Sequence, residues 1–138
     1  MREPSAIVDV AAAIIRDEHG RYLLVRRRPG THLAGLWEFP GGKREAGESI
    51  TACLRRELAE ELTAAFAVEE KVETIRWEYG EKTVTLHFFR CRLEAGTIAP
   101  REGQELAWVG PEGLRDYAFP PADEALVVRL RNSSRETA

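Results

Sequence analysis

The chain has 138 residues, 43% of them hydrophobic, with two cysteines and a formal net charge of −3. That is the size of one domain with enough apolar residues for a core, and its mild acidity argues against a general binder of nucleic-acid polymers or membrane surfaces, which is normally basic. Cys53 and Cys91 have neither CxxC nor metal-ligand spacing, and no apolar run is long enough for a bilayer, so the default is a soluble cytoplasmic protein with two small buried thiols. In chain order, residues 8–15 are rich in β-branched side chains and predict a strand. "RDEHGR" then makes a turn around Gly20, and residues 22–27 return as a second strand, giving a hairpin. Residues 29–36 read as loop, and "WEFPGG" as a short extended piece stopped by proline and glycine. Ser49 is the N-cap of a helix whose Ile50, Leu54, Leu58 and Leu62 recur at four-residue steps. Residues 72–78 and 83–93 predict another hairpin around "YGEK", residues 107–109 a short strand, and residues 111–117 one helical turn. After "FPP", residues 122–130 predict a last helix with Leu126, Val127 and Leu130 apolar, and "NSSRETA" frays. The order β-β-α-β-β-β-α implies a mixed sheet with helices packed on it. Trp37, Trp77 and Trp108 are expected in the core.

The unusual stretch is "GGKREAGESITACLRRELAEEL", which sets three glutamates on one helix behind a glycine turn. Residues three and four apart share a helical face, so Glu57, Glu60 and Glu61 are neighbours. Leu54, Leu58 and Leu62 anchor the adjacent face to the sheet, which fixes where those carboxylates stand. Their repulsion weakens the helix by a few tenths of a kcal/mol per pair, on the order found for like charges one turn apart. A divalent cation removes it, and hard oxygen ligands suit Mg²⁺, with Mn²⁺ as the alternative. Arg56 stands where it can pair with one carboxylate and orient it. Taken alone, "RELAEEL" reads first as a solvated acidic face.

The glycine turn changes the balance. From Gly42, five residues lead to Glu48 and seven more to Arg56, followed by Glu57, Leu58, Ala59, Glu60 and Glu61. This resembles the Nudix box, G-x5-E-x7-R-E-U-x-E-E-x-G-U with U apolar. The match holds through Glu61, and then Thr63 stands where the family has glycine, which puts the helix's exit turn in question. "LLVRRRPGTHLAGLWEFPGGK" and "FPPADEALV" extend the likeness to the MutT-like branch of the Nudix hydrolases, enzymes that cut nucleoside triphosphates to the monophosphate and pyrophosphate. The resemblance covers residues 8–130. It implies an α/β fold, the Nudix α/β/α sandwich with a mixed sheet between helices, as a single domain over residues 4–131 with a frayed tail over 132–138.

By that resemblance the metal ligands are the Gly41 carbonyl, Glu57, Glu60 and Glu61, joined by a loop carboxylate, Glu102 or its rival Glu105. Glu48 sits behind them. A glutamate among Glu57, Glu61 and Glu102 takes the proton from the attacking water. Lys43 meets phosphate charge or is merely solvated. Arg27, Phe39, Tyr79 and Lys82 match positions that hold the base, with core packing (Phe39) and a solvated strand end (Arg27) as the plain alternatives. Asp123 stands where members specific for 8-oxoguanine have asparagine. An ionised aspartate only accepts hydrogen bonds, which suits a cytosine amino group at least as well as oxidised guanine, unless Asp123 simply caps the last helix. His19, His32 and His87 share no ligand spacing, so zinc is not expected. The implied substrate is a nucleoside triphosphate, 8-oxo-dGTP or a cytosine triphosphate, acted on by a monomer or homodimer with no nucleic-acid polymer or membrane as partner. A non-catalytic nucleotide sensor and the base-reading domain of a glycosylase fit less well, since both classes lack the acidic box that is complete here.

Overall fold

The structure is a computed structural model that describes residues 6–31 and 33–136. Its first strand, β1 (Ala6–Ile15), is buried along its inner half on both faces: Ala11 to Ile15 are no more than 5% exposed. A strand covered on both faces needs a neighbour on each edge as well, because unpaired backbone groups cannot be left in a core. β4 (Gly41–Lys43) takes one edge antiparallel and β6 (Lys82–Ala95) takes the other in parallel. β5 (Ala65–Tyr79) completes a mixed four-stranded sheet in the order β4-β1-β6-β5. A second, antiparallel sheet has the order β3-β2-β7, from β3 (Trp37–Glu38), β2 (Tyr22–Arg26) and β7 (Leu106–Val109).

The expected hairpin of the first two strands is therefore not one. Its turn forms, closed by Asp17, whose carboxylate accepts the amides of His19 and Arg21 at 2.9 and 2.8 Å. Beyond a single bridge between Arg16 and Tyr22 the strands part into different sheets, because both edges of β1 are already taken. "WEFPGG" divides the same way. Pro40 breaks it into β3 in one sheet and β4 in the other, and the Pro40 carbonyl accepts the Ala13 amide at 2.8 Å. The second hairpin does form, with β5 beginning at Ala65 rather than at residue 72 and Gly80 turning at φ 58°.

Two helices cover the two faces. Helix α1 (Ile50–Leu62) is capped as expected, the Ser49 hydroxyl accepting the Ala52 amide at 3.1 Å. Leu54, Leu58 and Leu62 are fully buried, together with Cys53, against Ala11, Ala13, Val25, Phe66 and Phe89. At about 2 kcal/mol for each leucine, that burial outweighs the carboxylate repulsion on the neighbouring face several-fold. Helix α2 (Glu124–Glu136) packs Leu126, Val127 and Leu130 on the opposite side, with Ala12, Leu24, Phe39, Phe88 and Phe119. It starts two residues later than expected, after a 3₁₀ turn at Pro121–Asp123, and runs on beyond residue 130. The strand β2 sends Leu23 and Val25 to one core and Tyr22 and Leu24 to the other, so the layers are helix, sheet and helix. Trp37 and Trp108 pack beside these cores, whereas Trp77 on the outer strand β5 is 38% exposed.

The exit of α1 accommodates Thr63. The residue takes the left-handed conformation, φ 55° and ψ 31°, at about 1–2 kcal/mol for a side chain with a Cβ. Its amide still closes the helix on the Ala59 carbonyl at 3.2 Å. No helix among the described residues is long and apolar enough to cross a membrane.

Candidate active site

The glycines of the turn are required by close approach. A Cβ on Gly41, at φ 155°, would lie 1.9 Å from the Ala11 carbonyl oxygen of β1, and one on Gly42 would lie 2.3 Å from the carboxyl carbon of Glu57. The turn thus wedges between strand and helix, and Glu57 rests against bare backbone. Glu61 leans the same way, accepting the Gly41 amide at 3.3 Å. Arg56 ties the assembly together. Its guanidinium meets Glu48 at 2.6 and 3.1 Å, Glu57 at 2.9 Å and Glu60 at 3.5 Å, and donates to the Lys43 carbonyl at 3.2 Å.

Glu57, Glu60 and Glu61 wall a cleft of about 350 Å³ that also holds Glu38, Glu102, Gln104 and three consecutive arginines, Arg26 to Arg28. Of the two rival loop carboxylates, Glu102 reaches this cleft and pairs with Arg28, while Glu105 turns to Arg26 at 3.1 Å in the adjoining groove. The cleft's electrostatics are uneven. Arg56 and the Glu45 amide hold the Glu48 carboxyl down to about 2. Burial raises Glu57 in spite of Arg56, and burial followed by the charge of Glu38 pushes Glu61 up to about 8. Burial disfavours the charged form of both carboxyls, and a cation beside them favours it. Hard oxygen donors in such surroundings fit a divalent cation. Glu57 and Glu60 lie on Arg56 here, and no three acidic, histidine or cysteine side chains among the described residues converge to metal spacing.

A second cleft of about 470 Å³ opens on the other side of Glu38. Into it the fold brings Arg27 from the end of β2, Lys43 from β4, Tyr79 and Lys82 from the β5–β6 turn, and Asp123 from the 3₁₀ turn, over a floor of Val10, Val84 and Leu86. Asp123 is only 6% exposed, and its carboxyl is pushed up to about 7 by burial and then by the charge of Glu38. Burial and then the Asp123 charge raise the Tyr79 phenol, which lines the same cleft. Phe39 is different from the other expected substrate residues. Its ring is 4% exposed, stacks on Phe119 at 5.7 Å and meets Phe88 edge-on at 6.0 Å, so it is a core ring that walls only a small adjoining cavity.

Two residues of the site, Glu38 and Gln104, carried no sequence reading. Glu38 and Arg27, paired at 2.8 Å, line both clefts and so form the boundary between them. The available signal for Glu38 was a single charge between Trp37 and Phe39 immediately before the glycine turn. Gln104 had no signal, being one polar residue in a polar loop. His19, exposed beside Glu18, and His87, which meets Asp9 at 3.0 Å and Lys71 at 3.3 Å, stay outside the clefts, and His32 lies outside the described residues. Burial pushes the Cys53 and Cys91 thiols up to about 11 and about 12, which leaves them unreactive.

The sequence pattern of one protein family, the NUDIX domain, matches residues 11–129. The 8-oxo-dGTP diphosphatase of Haemophilus influenzae is 40% identical over 128 residues, 93% of this chain and 94% of that protein. The CTP pyrophosphohydrolase of Escherichia coli strain K12 is 39% identical over 121 residues, 88% of this chain and 89% of that one. Among solved structures, the E. coli ORF135 protein superposes with a TM-score of 0.77 at 37% identity, covering 94% of each chain. The MutT protein of Methanosarcina mazei Go1 superposes with a TM-score of 0.82 at 26% identity, covering 96% of this chain and 99% of that one.

Proposed function

This chain belongs to the NUDIX domain family and is a Nudix pyrophosphohydrolase, and on that premise we propose that it is a Mg²⁺-dependent nucleoside triphosphate pyrophosphohydrolase that clears 8-oxo-dGTP from the nucleotide pool. The observation that carries this reading is the pair of clefts meeting at Arg27 and Glu38, one acidic and one floored by apolar side chains with a buried carboxyl. A triphosphate needs the first and a base the second. In the first, the carboxylates of Glu57, Glu60, Glu61 and Glu102 with the Gly41 carbonyl would hold the cation, which when bound supplies the positive charge that screens the polyphosphate. Arg56 keeps Glu57 and Glu60 in place, and Glu48 keeps Arg56 in place. One carboxylate of this group takes the proton from the water that attacks phosphorus, and pyrophosphate leaves with the monophosphate as the other product. Lys43, at the mouth of the second cleft, offers charge to the phosphates between the two.

Base preference turns on Asp123. A carboxyl raised to about 7 carries its proton in a substantial fraction of molecules near neutral pH. The acid then donates through O–H and accepts through C=O, as asparagine does. That combination answers both the O6 carbonyl and the N7–H of 8-oxoguanine, which an ionised carboxylate does not. The second reading, a cytosine triphosphate as substrate, is favoured by the identity to the CTP pyrophosphohydrolase and by the ionised form of the same residue. Pyrophosphate release in Mg²⁺, compared by kcat/KM for 8-oxo-dGTP, dGTP, dCTP and 5-methyl-dCTP, tests the proposal. The expected ranking has 8-oxo-dGTP first. A ranking led by dCTP or 5-methyl-dCTP selects the second reading, and no release from any triphosphate rejects both.

A further inference from the structure

We infer that Gln104 is a positioning residue that locks Glu102 to the end of helix α1, with Thr63 as a second strut; this rests on reading the acidic cleft as the place of triphosphate hydrolysis. The connection from β6 to β7 has no regular structure of its own, yet it carries Glu102 into that cleft. What holds it is the last turn of α1, whose carbonyls have no partners within the helix. The Ala99 amide donates to Leu62 at 3.0 Å and the Arg101 amide to Glu61 at 3.1 Å. Gln104 then closes the circuit. Its side-chain Nε2 donates to the Glu61 carbonyl at 3.3 Å while its Oε1 accepts the Glu102 amide at 3.1 Å.

One amide therefore joins the backbones of Glu61 and Glu102, two residues distant in sequence whose carboxylates line the same cleft. The task needs a donor and an acceptor at the end of a side chain of this length. Glutamate, when ionised, lacks the donor, and methionine, of similar shape, has no donor and only a weakly accepting sulfur. Thr63 adds to the same clamp. Glycine would adopt the left-handed turn without strain, and what threonine brings in its place is a hydroxyl within reach of two carbonyls, Leu62 at 2.7 Å and Ala99 at 3.1 Å. The departure from the box at this position thus trades a relaxed helix end for a contact to the loop that bears Glu102.

Gln104→Met and Thr63→Val remove the two struts with little change of shape, and Thr63→Ser keeps the hydroxyl. Amide hydrogen exchange, followed without metal or nucleotide, should quicken about tenfold over residues 99–104 in Gln104→Met and about fivefold in Thr63→Val, and return to the wild-type rate in Thr63→Ser, since local opening sets exchange. In Mg²⁺ with the best triphosphate, Gln104→Met should lower kcat about tenfold and leave KM within about twofold, a loss on the scale of a misplaced catalytic group. In a Glu102→Gln background the same change should lower kcat no further, because its effect passes through Glu102. Wild-type exchange over residues 99–104 in Gln104→Met overturns the inference, and so does a loss of kcat that multiplies fully with Glu102→Gln. Should the wild-type chain release no pyrophosphate from any triphosphate, the proposed function fails, and the exchange comparison still decides the clamp.

Discussion

The two clefts are built on different plans. The acidic one takes three of its carboxylates, Glu57, Glu60 and Glu61, from a single helix, so one rigid element sets their spacing. The other draws Arg27, Lys43, Tyr79, Lys82 and Asp123 from five separate places in the fold, and nothing but the packing of two sheets and a 3₁₀ turn brings them together. A site held by one helix withstands changes elsewhere and is sensitive to a single atom within it. A site held by convergence is adjustable residue by residue. That division suits a family in which proteins named 8-oxo-dGTP diphosphatase and CTP pyrophosphohydrolase are 40% and 39% identical to this chain.

The largest expected effect falls on the helix-borne site. Glu57→Gln keeps the shape, removes one charge from the group against Gly42, and should lower kcat roughly 10³-fold, or about 4 kcal/mol of barrier. Turnover within tenfold of wild type would mean that the acidic helix is not the hydrolytic site. Next comes Gly42→Ala. The new methyl would overlap the Glu57 carboxyl, which is the far end of a flexible side chain, so the fold can yield where the chemistry cannot. The expected result is a loss of roughly 10²-fold in kcat, on the scale of a 1 Å misplacement, with Tm shifted by no more than a few degrees. A collapse of Tm with kcat preserved in the surviving protein would show that the turn serves folding alone.

The smallest effect belongs to the convergent site. Asp123→Asn should leave turnover of the best substrate within about tenfold, the scale of one or two hydrogen bonds, and should raise preference for 8-oxo-dGTP over dCTP above pH 7. Below pH 6 the protonated wild-type residue already does what asparagine does, so the preference of the two proteins should converge. Stability follows with its own sign. The Asp123 carboxyl is raised on folding from the ordinary 3.8 to about 7, so the native state holds a proton that the unfolded chain releases. Its contribution is intact below about 3.8 and is lost progressively as pH climbs to about 7. Melting curves of wild type and Asp123→Asn should therefore coincide near pH 4 and separate, with the variant higher, by pH 8. Parallel curves across that range would place Asp123 in a solvated, ordinary environment and remove it from base recognition by this route.

Legibility in the sequence followed the same division. The N-cap at Ser49, the buried leucine stripe and the carboxylates beside it were readable because helical spacing turns sequence distance directly into position. Four of the five residues expected at the base, Arg27, Tyr79, Lys82 and Asp123, were brought to one cleft, but which ring or charge faces it was not readable: Phe39 matches the pattern by position and spends its ring on Phe88 and Phe119. The first hairpin misled because a good turn at residues 17–21 says nothing of which edges its strands prefer. β1 pairs in parallel with a strand some seventy residues away, and that partner decides the sheet. Glu38 and Gln104 escaped notice for a related reason. Their importance lies in what stands across from them, Arg27 and Asp123 in one case and the backbones of Glu61 and Glu102 in the other.

From its letters alone the chain determined that a glycine turn and an acidic helix would stand together, and that the helix would bury its leucines, since local geometry and apolar periodicity need no distant partner. Only the tertiary structure decided that Asp123 would be buried beside Glu38, that the Glu102 loop would be clamped to α1, and that two clefts would share one wall. Burial, and the desolvation that shifts a carboxyl from acceptor to donor, exist only once strands far apart in the chain have chosen each other's edges.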